Sequence, residues 1–103
     1  MTRELIPPEI AQSIPMLYQT ENTKDPIVHA KLFHPCSNWT WFVLEYDPVD
    51  RLCFGLTCGF ESELGYFAVE ELEDVVVNGL GVERDLYFTP KPLSQVRAQL
   101  SRS

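Results

Sequence analysis

The chain has 103 residues, 45% of them hydrophobic and 22% charged, with a net charge of −7 and a pI near 4.6. That length admits a single domain over residues 1–103 with one modest core, and the composition excludes a disordered chain. Nucleic-acid affinity rests on Lys and Arg neutralising phosphates, so this acidic balance argues against direct DNA or RNA binding and makes a basic protein the natural partner.

In chain order, Pro7 and Pro8 suit a helix start, and Ile6, Ile10, Ile14 and Leu17 recur at near-helical spacing. A short helix is predicted from Pro8 to Ser13, stopped by Pro15. A polar loop, "QTENTKD", spans 19–25. Three strand-like runs follow: "IVHAKLFH" (27–34), "WTWFVLEY" (39–46) and "RLCFGLTC" (51–58), with short connectors rich in turn residues. An antiparallel meander is the economical reading. "LGYFAV" (64–69) adds a fourth strand. "VEELEDVV" (69–76) reads as a helix with acids in its first turns, and Asn78-Gly79 as its C-terminal stop. "ERDLYF" (83–88) reads as a strand. "LSQVRAQL" (93–100) reads as a helix with Leu93, Val96 and Leu100 on one face and Arg97 and Arg102 toward its favourable end.

Side chains alternate along a strand, so each run sorts into two faces. One face collects Val28, Ala30, Leu32, Phe42, Leu44, Leu52, Phe54 and Leu56, a core that terminal helices can cover. The other collects His29, Lys31, Phe33, Trp39, Trp41, Cys53 and Thr57 beside Gly55. Two readings of that mixed face stand. The indoles pack beneath the N-terminal segment or the 77–82 loop, because folding tends to bury their large apolar area. Alternatively Trp39, Trp41 and Phe33 form an aromatic contact patch for a protein, a peptide or a small ligand.

Carboxylates crowd the segment 61–85: Glu61, Glu63, Glu70, Glu71, Glu73, Asp74, Glu83 and Asp85, with Arg84 its sole basic residue. This is either a solvated acidic face or a surface that imitates a phosphate backbone and steers a basic, nucleic-acid-handling partner.

Chemical motifs are scarce. His29, His34, Cys36, Cys53 and Cys58 lie close in sequence, but without the paired spacing of a zinc site, so no metal is expected. Cys36 near His34 is the one candidate nucleophile and base, and sequence proximity alone is no catalytic signature. No nucleophile elbow, phosphate-binding loop or metalloprotease helix is present, so the leading reading is non-enzymatic and without a cofactor. An enzyme of unknown reaction is the alternative, since catalytic groups need not form a local motif. No apolar run approaches the ~20 residues that span a bilayer. The N-terminus lacks a secretory h-region, and three cysteines are an odd count, so a cytoplasmic protein with reduced thiols is expected. In that compartment the Asn38-Trp39-Thr40 glycosylation pattern is coincidental.

The blocks "LIPPEI", "IPMLYQTE", "KDPIVHAKLFHP", "SNWTWFVLEYDP", "RLCFGLTCGFESELGYF" and "ERDLYFTPKPLSQV" together resemble the domain of unknown function 2958 family. These are small bacterial proteins of plasmids, integrative elements and phages. The resemblance covers residues 5–96 and implies a bacterial, cytosolic, mobile-element setting, beside antirestriction and DNA-transfer functions. It carries over no catalytic residue. The expectation is therefore an α+β domain, with an antiparallel sheet of four to five strands and short N-terminal, middle and C-terminal helices. Its expected function is that of an accessory protein binding a protein partner.

Overall fold

The structure is a computed structural model and describes residues 4–101. Helix α1 (Pro8–Ala11) opens on Pro8, whose missing N–H costs nothing in a first turn. It closes earlier than Ser13, because Ser13 and Ile14 bond back to the carbonyls of Ile10 and Ala11 in tight turns. Strands β1 (Ile27–Val28), β2 (Ala30–Phe33), β3 (Thr40–Asp47), β4 (Leu52–Cys58) and β5 (Ser62–Ala68) follow. Then come α2 (Val69–Glu73), β6 (Val76–Val77), β7 (Leu80–Gly81), β8 (Glu83–Arg84), β9 (Lys91–Pro92) and α3 (Leu93–Leu100).

The main sheet has five strands in the order β5-β4-β3-β2-β8, every pair antiparallel. The fold is α+β, with three short helices among the described residues, as the sequence predicted. No helix among the described residues is long and apolar enough to cross a membrane.

The sheet is buried on both faces. Ala30, Leu32, Trp41, Val43, Tyr46 and Cys53 pack on one side beneath Leu5, Ile6, Ile14, Val69, Leu72 and Val82. Val28, Phe42, Leu44, Leu56 and Cys58 pack on the other beneath Leu93 and Val96, with Phe54, Phe88 and Leu100 at the margin. Two irregularities account for the difference from the single core face expected above. The 27–34 run breaks at His29, so Val28 joins the α3 side while Ala30 and Leu32 turn to the other.

The second irregularity is a bulge. Val43 pairs with Gly55, but Glu45, not Leu44, pairs with Phe54. One extra residue on β3 swaps the faces beyond it. Regular alternation would put Glu45 with Trp41 and Tyr46 with Phe42. Instead Tyr46 joins the Trp41 core, and Glu45 turns to the face of Phe54. Gly55 is required there. A Cβ at this position would lie 1.9 Å from the Phe42 carbonyl oxygen.

Three further expectations are corrected. The 69–76 helix ends at Glu73, and Asn78-Gly79 is not its cap. Both residues have positive φ (54° and 79°) and form the two-residue turn of the β6–β7 hairpin. The 83–88 strand stops at Arg84, because Asp85 starts a turn, its carboxylate accepting the Tyr87 N–H at 2.9 Å. Arg102, expected beside the C-terminus of α3, lies outside the described residues.

Candidate functional site

The N-terminal cover is fastened by ionic contacts. Arg51 makes a two-pronged pair with Glu73 at 2.9 and 2.6 Å, and the Glu73 carboxylate also accepts the Leu5 N–H at 3.0 Å. Arg84 Nε donates to the Leu5 carbonyl at 3.1 Å, so the backbone of one buried residue is held from both sides. Burial by itself would raise the Glu73 pKa. The Arg51 guanidinium and the Leu5 N–H outweigh that and hold it below the ordinary carboxylate value.

Beside this clamp the two tryptophans part company. Trp41 is buried, 8% exposed, in the core beneath the N-terminal segment. Trp39 precedes β3 and is 38% exposed, its ring stacked on Trp41 at a centroid distance of 6.2 Å. It lies over Gly59, where an added Cβ would sit 2.5 Å from the indole. Phe60, 97% exposed at the tip of the β4–β5 hairpin, meets Trp39 edge-on at 5.9 Å. Trp39, Thr57, Phe60, Glu61 and Glu63 line a shallow cavity of about 310 Å³.

Phe33 is not part of this patch. The register pairs Leu32 with Trp41 and Phe33 with Thr40, which places Phe33 on the opposite face, beside Lys31, Glu83 and Tyr87. The expected grouping of Phe33 with the indoles assumed an unbroken register. Phe60 was missed for the opposite reason. A bulky apolar residue between Gly59 and Glu61, in a turn where nothing can bury it, is a signal that a strand-by-strand reading passes over.

The acidic run does not form one surface. Glu61 and Glu63 stand at the hairpin tip beside Trp39. Glu70, Glu71 and Asp74 are exposed at the far end of β5, a strand-length of roughly 20 Å away. Glu73 is spent in the Arg51 pair. Glu83 and Asp85 lie at the opposite edge of the sheet, four strand spacings or ~19 Å from β5, with Asp85 3.8 Å from Lys31. Adjacency in sequence disperses in space because β5 and β8 are opposite edge strands.

The thiol and imidazole chemistry is equally constrained. His34 is buried, with Nε2 3.0 Å from the Leu80 carbonyl and Nδ1 accepting the Cys36 N–H at 3.1 Å. Both ring nitrogens are committed to backbone groups, which leaves neither to activate the exposed Cys36 thiol. Burial pushes the Cys53 thiol up to about 12, against a smaller opposing pull from Arg51, so it is not a nucleophile. Among the described residues no group of three or more His, Cys, Asp or Glu converges to hold a metal ion.

The site the structure assembles is thus an exposed aromatic pair edged by two carboxylates, with Trp39 supplied by the β2–β3 connection and Phe60, Glu61 and Glu63 by the β4–β5 hairpin. No curated protein and no solved structure is significantly similar to this chain. A family model matches residues 5–102, nearly the whole chain, and on that match the chain belongs to the family described as protein of unknown function (DUF2958).

Proposed function

We propose that this chain is a non-enzymatic binding domain, a cytoplasmic accessory protein of bacterial mobile elements. It engages a basic protein partner through Trp39, Phe60, Glu61 and Glu63. One observation carries the reading: a nearly fully exposed phenylalanine stands edge-on to a half-exposed tryptophan, with two carboxylates in the same cavity wall. An Arg or Lys of a partner finds there an aromatic face for its stem and charge, and an anion for its head. Trp is enriched among interface hot spots, and the negative rim both steers and orients a basic surface. Such a surface is characteristic of nucleic-acid-handling proteins, and the mobile-element setting makes a host defence or restriction enzyme the partner to look for.

The test is affinity capture from the bacterial host with nuclease present, comparing the wild type with two charge-matched variants. The first is Glu61→Lys with Glu63→Lys, and the second is Glu71→Lys with Asp74→Lys at the other end of β5, which leaves Glu70, 4.0 Å from Arg51, in place. All four positions are exposed, so the fold tolerates both variants. A partner held by the wild type and the second variant, lost by the first, and released at high salt supports the proposal. Equal retention by both variants, or equal loss, removes the hairpin tip as the site. Phe60→Ala should weaken the same capture about tenfold or more without changing thermal stability.

A further inference from the structure

A second site lies on the other face of the sheet and shares no residue with the hairpin tip. Between the 18–26 loop and strands β4 and β5 is a cavity of about 360 Å³ with an apolar floor of Leu44, Phe54 and Leu93. Its walls are aromatic. Tyr66 stands 5.1 Å from Phe54 and 6.5 Å from Tyr18, with interplanar angles of 56° and 58°, and both tyrosines are more than half exposed. At its inner side is Glu45, only 3% exposed and turned to this face by the β3 bulge.

Glu45 is a buried carboxylate with no ion-pair partner among the described residues. Its neighbours are dipoles. The Tyr18 N–H donates to Oε1 at 2.8 Å, and the Thr20 N–H at 2.9 Å and the Thr20 hydroxyl donate to Oε2. A carboxylate offers about four acceptor positions, so about one stays open, on Oε1. Tyr18 holds a φ of 72°, a left-handed conformation that a bulky residue keeps only when its surroundings enforce it, and the bond to Glu45 does so. The buried charge, the bulge and the strained tyrosine converge on one cavity.

We propose that Tyr18, Phe54 and Tyr66, with the Glu45 carboxylate behind them, form a binding site for an alkylated ammonium group. Ring faces attract a cation, and a methylated ammonium surrenders its weak hydration cheaply to such walls. A primary ammonium needs several acceptors to replace its water, and a guanidinium needs a two-pronged carboxylate; Glu45 has too few open positions for either. The local field agrees with the sign. The Tyr66 phenol is held above its ordinary pKa first by its hydrogen bond with Tyr18, then by desolvation and by charge interaction with Tyr18, with Glu45 and Glu21 adding to the same direction. Lys24 lines the same cavity, so two carboxylates face one ammonium there, and the balance remains negative.

The experiment is an NMR titration of the labelled full chain with choline and, in parallel, with 3,3-dimethylbutan-1-ol, its neutral isostere. Choline should shift the Tyr18, Phe54 and Tyr66 ring signals saturably, and the isostere should bind more weakly by about twofold to thirtyfold. Tyr66→Ala should reduce choline affinity over the same range. Lys24→Ala should raise it, and Phe60→Ala should leave it unchanged. Both lining positions are exposed, which keeps the variants folded where Glu45→Gln would release the 18–20 loop. Equal shifts from choline and the isostere, no saturable shift, or an unaffected Tyr66→Ala would each overturn the site. A peptide bearing one trimethyl-lysine distinguishes the source. Binding much tighter than choline assigns the site to a modified protein side chain, and binding no tighter assigns it to a free small cation.

Discussion

Glu73 shows how far a side chain's role depends on one neighbour. In sequence it is the third acid of an acidic helix; in space it is the counter-ion of Arg51 and the acceptor for the Leu5 N–H. Its side chain is almost fully buried while that of Arg51 is about a quarter exposed, so the pair is only partly screened by water. Replacing Arg51 with Met strands a buried carboxylate and should cost about 2 kcal/mol at neutral pH. Because the folded pKa of Glu73 lies below its unfolded value, the pair's contribution is full above about pH 4.3 and is lost as pH falls through the folded value. The stability gap between wild type and Arg51→Met, read from urea midpoints, should therefore narrow from about pH 5 toward pH 2. A gap that stays constant over that interval would assign the stabilisation to packing of the arginine stem instead.

At the scale of elements, β3 is the decisive piece. Its sequence, "TWFVLEYD", announces a strand without ambiguity, and the structure has that strand over Thr40–Asp47. What it does not announce is the bulge between Val43 and Glu45, which needs a partner strand able to let its backbone approach closely. Gly55 of β4 is that partner. Gly55→Ala forces a Cβ against a carbonyl oxygen and should cost about 1–3 kcal/mol in thermal or urea unfolding. Gly65→Ala, on the neighbouring strand with open space around its Cβ position, should stay within about 0.5 kcal/mol of wild type. If both substitutions are silent, the close approach at Gly55 is relieved by a shift of β3, and the bulge does not depend on the glycine. The same residue explains why alternation misassigned Glu45 and Tyr46. A period-of-two reading holds only while the ladder is regular.

Over the whole molecule, the important fact is that the sheet is covered on both sides, by the N-terminal segment with α2 and by α3 with its preceding turn. Trp41 is consequently core while Trp39, two residues away, is surface. A Trp39→Phe chain should show blue-shifted emission from Trp41 that neutral acrylamide barely quenches. A Trp41→Phe chain should emit further to the red from Trp39 and be quenched readily. Similar quenching of both would contradict the covering of that face by residues 5–15. Two candidate sites result from this architecture, one at the hairpin tip and one at the bulged face. Each combines aromatic rings with carboxylates, and they are separated by the thickness of the sheet.

The sequence by itself determined the strands of the meander, the helix starts at Pro8 and Leu93, the acidic balance and the family. These are legible because propensity, proline stereochemistry and net charge are local or additive properties. Tertiary structure alone decided which carboxylates are neighbours, which face each aromatic residue occupies, and that Glu45 rather than Tyr46 meets Phe54 and Tyr66. Those outcomes turn on register, and register is fixed by contacts between residues far apart in the chain: one extra residue in one strand exchanges the two faces of everything beyond it.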